Sequence, residues 1–391
     1  MRPVGPLLAA AAVVLWCFGD KAAADDCPRS CSCTDTTIHC DHLTGHRELE
    51  MIRSDVFPDL TTLSVENSKL GALKGGNLFG EGVEHQRLSE ISLVNCDITT
   101  LSEKTLHGAP FLENVNLANN LIAAVHADLF ERHSRLLSVN LTNAFNANSL
   151  SPNETTDLIV KIFRKSSNPF GHLTSLSLDG NDLTFLPEDV FCSLPSLTTL
   201  SLRDNDLASF AFKSGCLLSL GLLDLSGNEI GHFPPAVVSQ WRAAFNPIRT
   251  PGDLNVDLSN NPFICDCRLS DFVRFIWEQR DIFEDDPGAA RCADAIPAEF
   301  RDEPLIRVDA DRLRCEEETT TTTASSSGRT LSTLFLLVLL SAAIVSTYFL
   351  CGRRMSWLNR FRKASNSRRG YETAVYSKLR SEDSEVAPEF V

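Results

Sequence analysis

One stretch of the sequence repeats a single pattern three times in succession. Residues 173–183 read LTSLSLDGNDL, residues 197–207 read LTTLSLRDNDL and residues 220–230 read LGLLDLSGNEI. Each copy fits L-x-x-L-x-L-x-x-N-x-L, in which the two leucines of L-x-L point to the same side, as in a short β-strand. A single copy cannot bury its own leucines, so the pattern predicts stacked repeats that share one apolar core.

The pattern is that of a leucine-rich repeat, and it extends in both directions. Four earlier copies fit the same template, with first residues Leu60, Leu88, Leu112 and Leu136, and a closing strand at Val256-Asp257-Leu258 is followed by Asn261 and Phe263. We therefore predict an α/β solenoid of about seven full repeats and a closing one, with a parallel sheet on its concave side. The Asn of each copy is expected to satisfy backbone groups of its own turn and of the adjacent repeat.

The two ends of the chain predict where it is located. Residues 1–24 contain Arg2, an apolar run and three alanines before Asp25, which is the layout of a secretory signal peptide. Residues 331–350 carry no charge and are long enough to cross a bilayer as a helix. Basic residues follow them, so the positive-inside rule predicts a single-pass type I protein of the plasma membrane with an extracellular N-terminus.

The segments that follow from these features have definite bounds. They are a signal peptide (1–24), an N-terminal cap (25–58), a first sub-array of repeats (59–142), an insertion (143–171), a second sub-array (172–260), a C-terminal cap (261–315), a Ser/Thr-rich stalk (316–330), a transmembrane helix (331–351) and a cytoplasmic tail (352–391). The formal net charge is −15, and because the tail is basic, the acidic charge lies in the outer part. An acidic ectodomain argues against a nucleic-acid partner.

Most of the thirteen cysteines flank the repeats. One group precedes the first repeat and consists of Cys27, Cys31, Cys33 and Cys40, and another follows the last repeat and consists of Cys265, Cys267, Cys292 and Cys315. A repeat array must cover its exposed end layers, so we predict disulfide-bonded caps in the oxidising extracellular compartment. A four-cysteine zinc site is the competing interpretation, and secretion argues against it.

Three further cysteines lie within the array. Cys192 and Cys216 each follow the start of their own repeat by 19 residues. Equivalent positions of neighbouring repeats are about 5 Å apart, which is within disulfide range, so we predict that these two pair. Cys96 replaces the Asn of its repeat and is predicted to be a buried free thiol.

The fourth repeat is interrupted by a long insertion. Residues 143–171 begin rich in Asn and Ser and then place Leu158, Ile159, Ile162 and Phe163 at helical spacing, which predicts a loop with a short amphipathic helix. Such insertions provide functional loops, although a tolerated bulge is equally consistent with the sequence.

Two glycosylation sequons begin at Asn140 and Asn153. Asn153 lies in the insertion. Asn140 lies between two inward residues, so its side chain is predicted to leave the concave face of the sheet. Either that sequon is unused or a partner binds elsewhere.

Other motifs lie near the C-terminal end. A packed loop is expected around Pro234, Pro235 and Trp241, and a cap helix begun by Ser270 is expected to bury Phe272. In the tail, Tyr376 and Leu379 fit a tyrosine-based sorting signal, and the end formed by Glu389, Phe390 and Val391 fits a ligand for a cytoplasmic PDZ-domain protein. The alternative for both is disordered sequence that nothing recognises.

No group of residues favours catalysis. The nine histidines are scattered, and the sequence contains neither a spaced set of metal ligands nor a nucleophile motif. We therefore expect no enzyme activity, no cofactor and no metal.

Two motifs carry a family resemblance. CPRSCSC before the array and NNPFICDCRLSDFVRFI after it resemble the caps of extracellular leucine-rich-repeat receptors. The two sub-arrays split by a polar insertion, the single span and the basic tail together resemble the trophoblast glycoprotein family, also called Wnt-activated inhibitory factors. The resemblance covers nearly all of residues 27–391.

The resemblance implies a cell-surface glycoprotein that binds an extracellular protein partner. In this family the expected activity is inhibition of β-catenin-dependent Wnt signalling through a Wnt co-receptor at the membrane. The second hypothesis is an adhesion or synaptic-organising receptor that is linked to PDZ scaffolds. Both need only a rigid display surface, so the repeats alone do not separate them.

Overall fold

The computed structural model describes residues 26–145, 150–164, 169–213, 215–244, 254–283 and 290–315. The predicted signal peptide, stalk, transmembrane helix and tail lie outside these ranges, as do the sorting and PDZ motifs. Among the described residues, no helix has both the length and the apolar character needed to cross a membrane.

The described residues form short strands, three α-helices of more than two turns and several 3-10 turns. The strands are β1 Cys31–Cys33, β2 Thr37–Asp41, β3 Thr62–Glu66, β4 Ala72–Leu73, β5 Glu90–Val94, β6 Thr100–Leu101, β7 Asn114–Asn116, β8 Ala124–Val125, β9 Ser138–Asn140, β10 Ser175–Ser177, β11 Thr199–Ser201, β12 Leu222–Asp224, β13 Asn255–Asp257, β14 Phe263–Cys265 and β15 Cys292–Ala295. The α-helices are α1 Pro152–Phe163, α2 Pro235–Ala244 and α3 Ser270–Glu278, and 3-10 turns lie at His46–Met51, Arg280–Ile282, Ala298–Phe300, Leu305–Arg307 and Ala310–Arg312.

Ten strands form one continuous sheet in the order β1-β2-β3-β5-β7-β9-β10-β11-β12-β13. Only the β1–β2 pair is antiparallel, and every other neighbouring pair is parallel. Leu176 lies opposite Leu200, and Leu200 lies opposite Leu223, so the leucines of successive repeats stack in register and are fully buried. The predicted leucine-rich-repeat fold with a mostly parallel sheet is confirmed.

The Asn of the repeat motif joins each repeat to the one before it. Asn205 is buried, and its Oδ1 accepts hydrogen bonds from the amides of Asn181 and Leu183 at 3.0 and 3.1 Å. Its Nδ2 donates to the Leu178 carbonyl of the preceding repeat and to the Leu202 carbonyl of its own turn. Because one amide satisfies both donors and acceptors, the turns stay buried without unpaired backbone groups.

Cys96 occupies the same position with a thiol. Its Sγ lies 3.3 Å from the carbonyl oxygens of Val65 and Val94, and burial raises its pKa to about 12. The residue is therefore an unreactive core thiol in the native protein.

The insertion folds against the side of the array. A smaller parallel sheet of β4, β6 and β8 follows the first repeats, and α1 packs beside β8. Ser151 and Glu154 form a capping box at the start of α1, and Ile159 and Phe163 are buried. The amphipathic helix expected from the spacing is present, and it is an integral part of the core.

Two local expectations near the C-terminal end were wrong. The segment expected to be a loop around Trp241 contains helix α2, because Val238 and Trp241 lie on one helical face and are both buried. Ser270 is the first residue of α3 and does not cap it, since its hydroxyl donates backwards to the Cys267 carbonyl at 2.7 Å. The preceding Leu269 holds the cap position.

Each end of the array is closed by a disulfide-bonded cap. In the N-terminal cap, disulfides join Cys27 to Cys33 and Cys31 to Cys40. In the C-terminal cap, they join Cys265 to Cys292 and Cys267 to Cys315. Helix α3 covers the last apolar layer with four buried residues, which are Phe272, Val273, Phe275 and Ile276.

Candidate partner-binding surfaces

The outward face of the ten-stranded sheet carries small polar side chains. The central outward position of successive strands is occupied by Ser64, Ser92, Asn116, Asn140, Ser177, Ser201, Asp224 and Asp257. Binding energy at protein interfaces is concentrated in aromatic and arginine anchors, and this row contains none. The row provides hydrogen-bonding groups on a regular surface without an apolar anchor.

Asn140 lies in the middle of this face, as the sequence predicted. It ends β9, and its Oδ1 accepts a hydrogen bond from the amide of Thr142, the third residue of its own sequon, at 2.9 Å. An N-linked sugar is attached through Nδ2, so this bond can persist in a modified side chain. A glycan here would project over the central strands.

Asn153 lies far from the strands of that face in the fold. It is an exposed residue in the first turn of α1, next to Pro152 at the helix start. The two sequons therefore point away from different elements, one from the sheet and one from the insertion helix.

A polar groove of about 600 Å³ lies beside the long loop of the first repeat. Its lining includes Glu50, Glu84, Lys104 and Arg132, so both charge signs are present. Gly108, in the turn of the following repeat, packs against this loop, and an added Cβ there would lie 2.5 Å from Asn77 Oδ1. The mixed charge of this groove favours no single class of ligand.

Two buried histidines support the first sub-array. His85 Nε2 lies 3.1 Å from the Ile52 carbonyl oxygen, and His133 Nε2 lies 3.1 Å from that of Leu106. The Nδ1 atom of each ring is buried and has no hydrogen-bond partner. Burial lowers the pKa of both histidines, because a charged imidazolium ring is penalised when it is removed from water.

Acid should therefore weaken this part of the fold. The unfolded chain protonates His85 and His133 near pH 6.5, whereas the folded chain resists protonation until a lower pH. The stabilisation that comes from keeping these histidines neutral is therefore fully present above about pH 6.5. Below that pH the free energy of unfolding falls by about 1.4 kcal/mol per pH unit for each histidine that is protonated only in the unfolded chain. Urea unfolding of residues 25–315 at pH 7.4 and 5.5 measures this slope. A His133→Leu variant with an unchanged slope would contradict the assignment.

The disulfide between Cys192 and Cys216 joins adjacent repeats on the side of the array. The two Cα atoms are 4.8 Å apart, and the bond closes a loop with a sequence separation of 24. It lies close to the insertion, since Ser193 Oγ donates to the carbonyl of Phe163 at the end of α1. The bond therefore fixes the repeat that supports α1.

Replacing both of these cysteines by alanine should cost about 3 kcal/mol, because the unfolded chain loses a cross-link of this length. The expected result is a lower midpoint of urea unfolding with the fold retained. Alkylation of the native wild-type protein should label no cysteine among residues 25–315, and alkylation after unfolding without reductant should label only Cys96. Labelling of Cys192 under those conditions would exclude the bond.

No part of the described chain is arranged for metal chemistry. Within the described ranges, no three His, Cys, Asp or Glu side chains are grouped so that they could hold an ion.

One surface feature was missed from the sequence. Phe111 and Leu137 are exposed at equivalent ends of adjacent repeats, and Arg135 lies over the Phe111 ring. The sequence did indicate their exposure, because both residues are next to the first leucine of a repeat, where most other repeats carry polar residues.

Comparisons with known proteins agree with this architecture. The leucine rich repeat family model matches residues 149–207 and 171–230. Mouse trophoblast glycoprotein is 24% identical over 309 residues, covering 75% of this chain and 69% of the relative. Mouse podocan is 28% identical over 244 residues, covering 54% of this chain and 39% of podocan.

A solved structure has the same fold over most of its length. The crystal structure of human trophoblast glycoprotein, also named Wnt-activated inhibitory factor 1, superposes with a TM-score of 0.60 at 23% identity, covering 76% of this chain and all of that one. Repeats, caps and these matches define an extracellular leucine-rich-repeat protein, a class of glycoproteins and receptors that are not enzymes. Within that class, the chain is similar to trophoblast glycoprotein, which matches three quarters of it at 24% identity.

Proposed function

We propose that this chain is a plasma-membrane glycoprotein that binds an extracellular protein partner and inhibits Wnt/β-catenin signalling. The observation that carries the proposal is the similarity to trophoblast glycoprotein across three quarters of the chain. The matched human protein bears the name Wnt-activated inhibitory factor 1, and the proposal extends that activity to this chain. The expected target is a Wnt co-receptor.

The fold suits such a role because its described repeats share one hydrogen-bonded sheet. The ten-stranded sheet is continuous from the N-terminal cap to the last repeat, and buried Asn amides such as that of Asn205 join the turns of neighbouring repeats. A surface of this kind loses little conformational entropy when a partner binds. Binding at the membrane could thus occupy a co-receptor without any catalytic step.

A Wnt-stimulated β-catenin reporter in cells tests the proposal. The full chain and a version that ends at Gly352 are expressed at matched surface levels. Suppression by both is expected if the activity belongs to the ectodomain and its predicted membrane anchor. Absence of suppression by either, with surface display verified by an antibody to an N-terminal tag, would refute the proposal.

Adhesion is the second candidate, and the predicted PDZ ligand at Glu389, Phe390 and Val391 favours it. A PDZ scaffold in the cytoplasm would cluster the receptor at a contact between cells. Mixing cells that display the full chain with cells that do not distinguishes the two candidates. Aggregation that requires the displayed chain supports adhesion, and dispersed cells with a suppressed reporter support the Wnt role.

Glycosylation at Asn140 and Asn153 is part of the same proposal. Digestion of the secreted ectodomain with an N-glycosidase should increase its electrophoretic mobility in two steps, one removed by Asn140→Gln and the other by Asn153→Gln. If Asn140 carries a glycan, the partner binds away from the centre of the outward face. Unchanged mobility of the Asn140→Gln variant would show that this sequon is unused.

A further inference from the structure

The inference concerns the edge of the large sheet at which its parallel strands begin. We call this edge, with the residues on either side of each repeat's first leucine, the strand-entry edge. The register between strands shows which residues of this edge are neighbours. Asn114 pairs with Ser138, so Glu113 lies beside Leu137. For the same reason Arg87, Phe111 and Arg135 occupy one row along this edge.

Most repeats place a hydroxyl group directly after that leucine. Thr61 Oγ1 donates to the Thr36 carbonyl at 3.0 Å, and Thr174 and Thr198 donate to the carbonyls of Leu137 and Thr174 at 2.9 and 3.0 Å. Ser89 makes the equivalent, longer bond to Thr61. Each of these side chains therefore bonds to the backbone carbonyl at the same position of the previous repeat. This bond is a structural reason for Ser or Thr directly after the first leucine.

Three of the full repeats depart from this pattern. The position holds Glu113 and Leu137 in two adjacent repeats and Gly221 in a later one, and none of these side chains can donate such a bond. Leu137 is 39% exposed, and Phe111, in the preceding repeat, is 38% exposed. Neither residue belongs to the buried core of the array.

Charge adds a second feature at the same place. The Arg135 guanidinium lies 4.9 Å from the centre of the Phe111 ring, a cation–π contact. On the other side of Phe111 in the row, Arg87 is 67% exposed and pairs with Asp59 at 2.8 Å. The phenyl ring is thus flanked by two arginines, on a chain whose net charge is −15.

We propose that Phe111, Arg135 and Leu137 form the contact surface for the extracellular partner, and that the partner presents carboxylates beside an apolar side chain. Arg135 would attract the carboxylates, and the Phe111 ring and Leu137 would bury the apolar group. The half-buried Glu113 lies within the same surface, which disfavours a sulfated polysaccharide and favours a protein. This inference rests on the proposed Wnt function, because it assigns the surface to that partner.

The two predicted glycans are attached at other positions. Asn140 leaves the outward face at the opposite end of its strand from Leu137, and Asn153 belongs to α1. Neither predicted glycan is attached to the row of Arg87, Phe111 and Arg135.

The test uses the full chain in the β-catenin reporter assay, with surface display measured for every variant. The surface variant carries Phe111→Ser, Arg135→Glu and Leu137→Ser. The matched control carries Phe185→Ser, Lys161→Glu and Leu218→Ser, where Phe185 and Leu218 are 50% and 64% exposed elsewhere on the array. Two single variants, Arg135→Lys and Arg135→Glu, separate charge from shape.

Loss of an anchoring cluster should raise the surface density needed for half-maximal suppression about tenfold or more. The control should match the wild type, and Arg135→Lys should retain more activity than Arg135→Glu. If the wild type and the surface variant suppress equally, the surface assignment is overturned and the Wnt proposal stands. If the wild type does not suppress, both are overturned.

Two further outcomes would replace the proposed partner. Light scattering of the purified full chain in detergent would reveal a dimer that the surface variant abolishes if the occupant were a second copy. Enzymatic removal of sulfated glycans from the cells would abolish suppression by the wild type if the occupant were a polysaccharide. Either result would contradict an acidic protein partner, and a monomer that is insensitive to the enzyme agrees with one.

Discussion

Replacing Asn181 by alanine should destabilise the ectodomain by about 3–5 kcal/mol. Asn181 Oδ1 accepts from the amides of Ala144 and Phe145 at 2.9 and 3.0 Å, and its Nδ2 donates to the carbonyls of Leu141 and Leu178 at 2.9 Å. Alanine would remove all four of these buried hydrogen bonds at once. Asn181 also bridges the two sub-arrays across the insertion, so no neighbouring repeat can take over its role.

Urea unfolding of residues 25–315 measures this loss. Asn114→Ala is the matched control, because Asn114 points outward from β7 and should change the free energy of unfolding by no more than about 0.5 kcal/mol. Two separate unfolding transitions in the Asn181 variant would show that the sub-arrays have become uncoupled. Equal midpoints for both variants would contradict the bridging role.

Replacing Trp241 by alanine should cost about 3–5 kcal/mol, with a lower melting temperature. Trp241 is fully buried on α2, and its Nε1 donates to the Phe210 carbonyl at 2.8 Å. Its ring lies 5.1 Å from that of Phe233 and 6.0 Å from that of Phe272. The indole therefore joins the last repeats to the cap helix α3, and its removal leaves a large cavity together with an unpaired carbonyl.

Calorimetry of the ectodomain provides the measurement, and Trp241→Phe separates the two contributions. Phenylalanine refills part of the cavity but cannot donate to Phe210, so its melting temperature should lie between those of the wild type and the alanine variant. Trp277→Ala is the exposed control, since that residue of α3 is 50% exposed. A melting temperature equally low for Trp277→Ala would argue against a specific role for Trp241.

The regular parts of the fold could be predicted because a short pattern determines them. Each L-x-L gives a strand, and each buried Asn or Cys96 gives the turn after it, so a constant period predicts the register of strands that lie far apart in sequence. The insertion helix could also be predicted, because Ile159, Ile162 and Phe163 repeat at helical spacing.

The parts that were mispredicted depend on contacts that no local pattern encodes. Helix α2 begins at two prolines, which indicate a loop until Trp241 is known to be buried against Phe233. Ser270 has the identity of a helix cap, but a bond to the Cys267 carbonyl takes its hydroxyl. The exposure of Phe111 and Leu137 was indicated by their places beside the first leucine of a repeat, but it was missed because leucine and phenylalanine are also the residues of the core.

Because the register of the parallel sheet is constant, residues along the strand-entry edge are separated by whole multiples of the strand spacing. Neighbouring strands are about 4.8 Å apart, so Arg87 and Arg135, which flank Phe111 two strands apart, stand about 10 Å from each other along the sheet. Groups on a partner that contact several of these residues must therefore be separated by multiples of the same distance. Inserting or deleting one repeat would shift a contact residue by one strand spacing. A point substitution would change one contact residue and leave the spacing of the others unchanged.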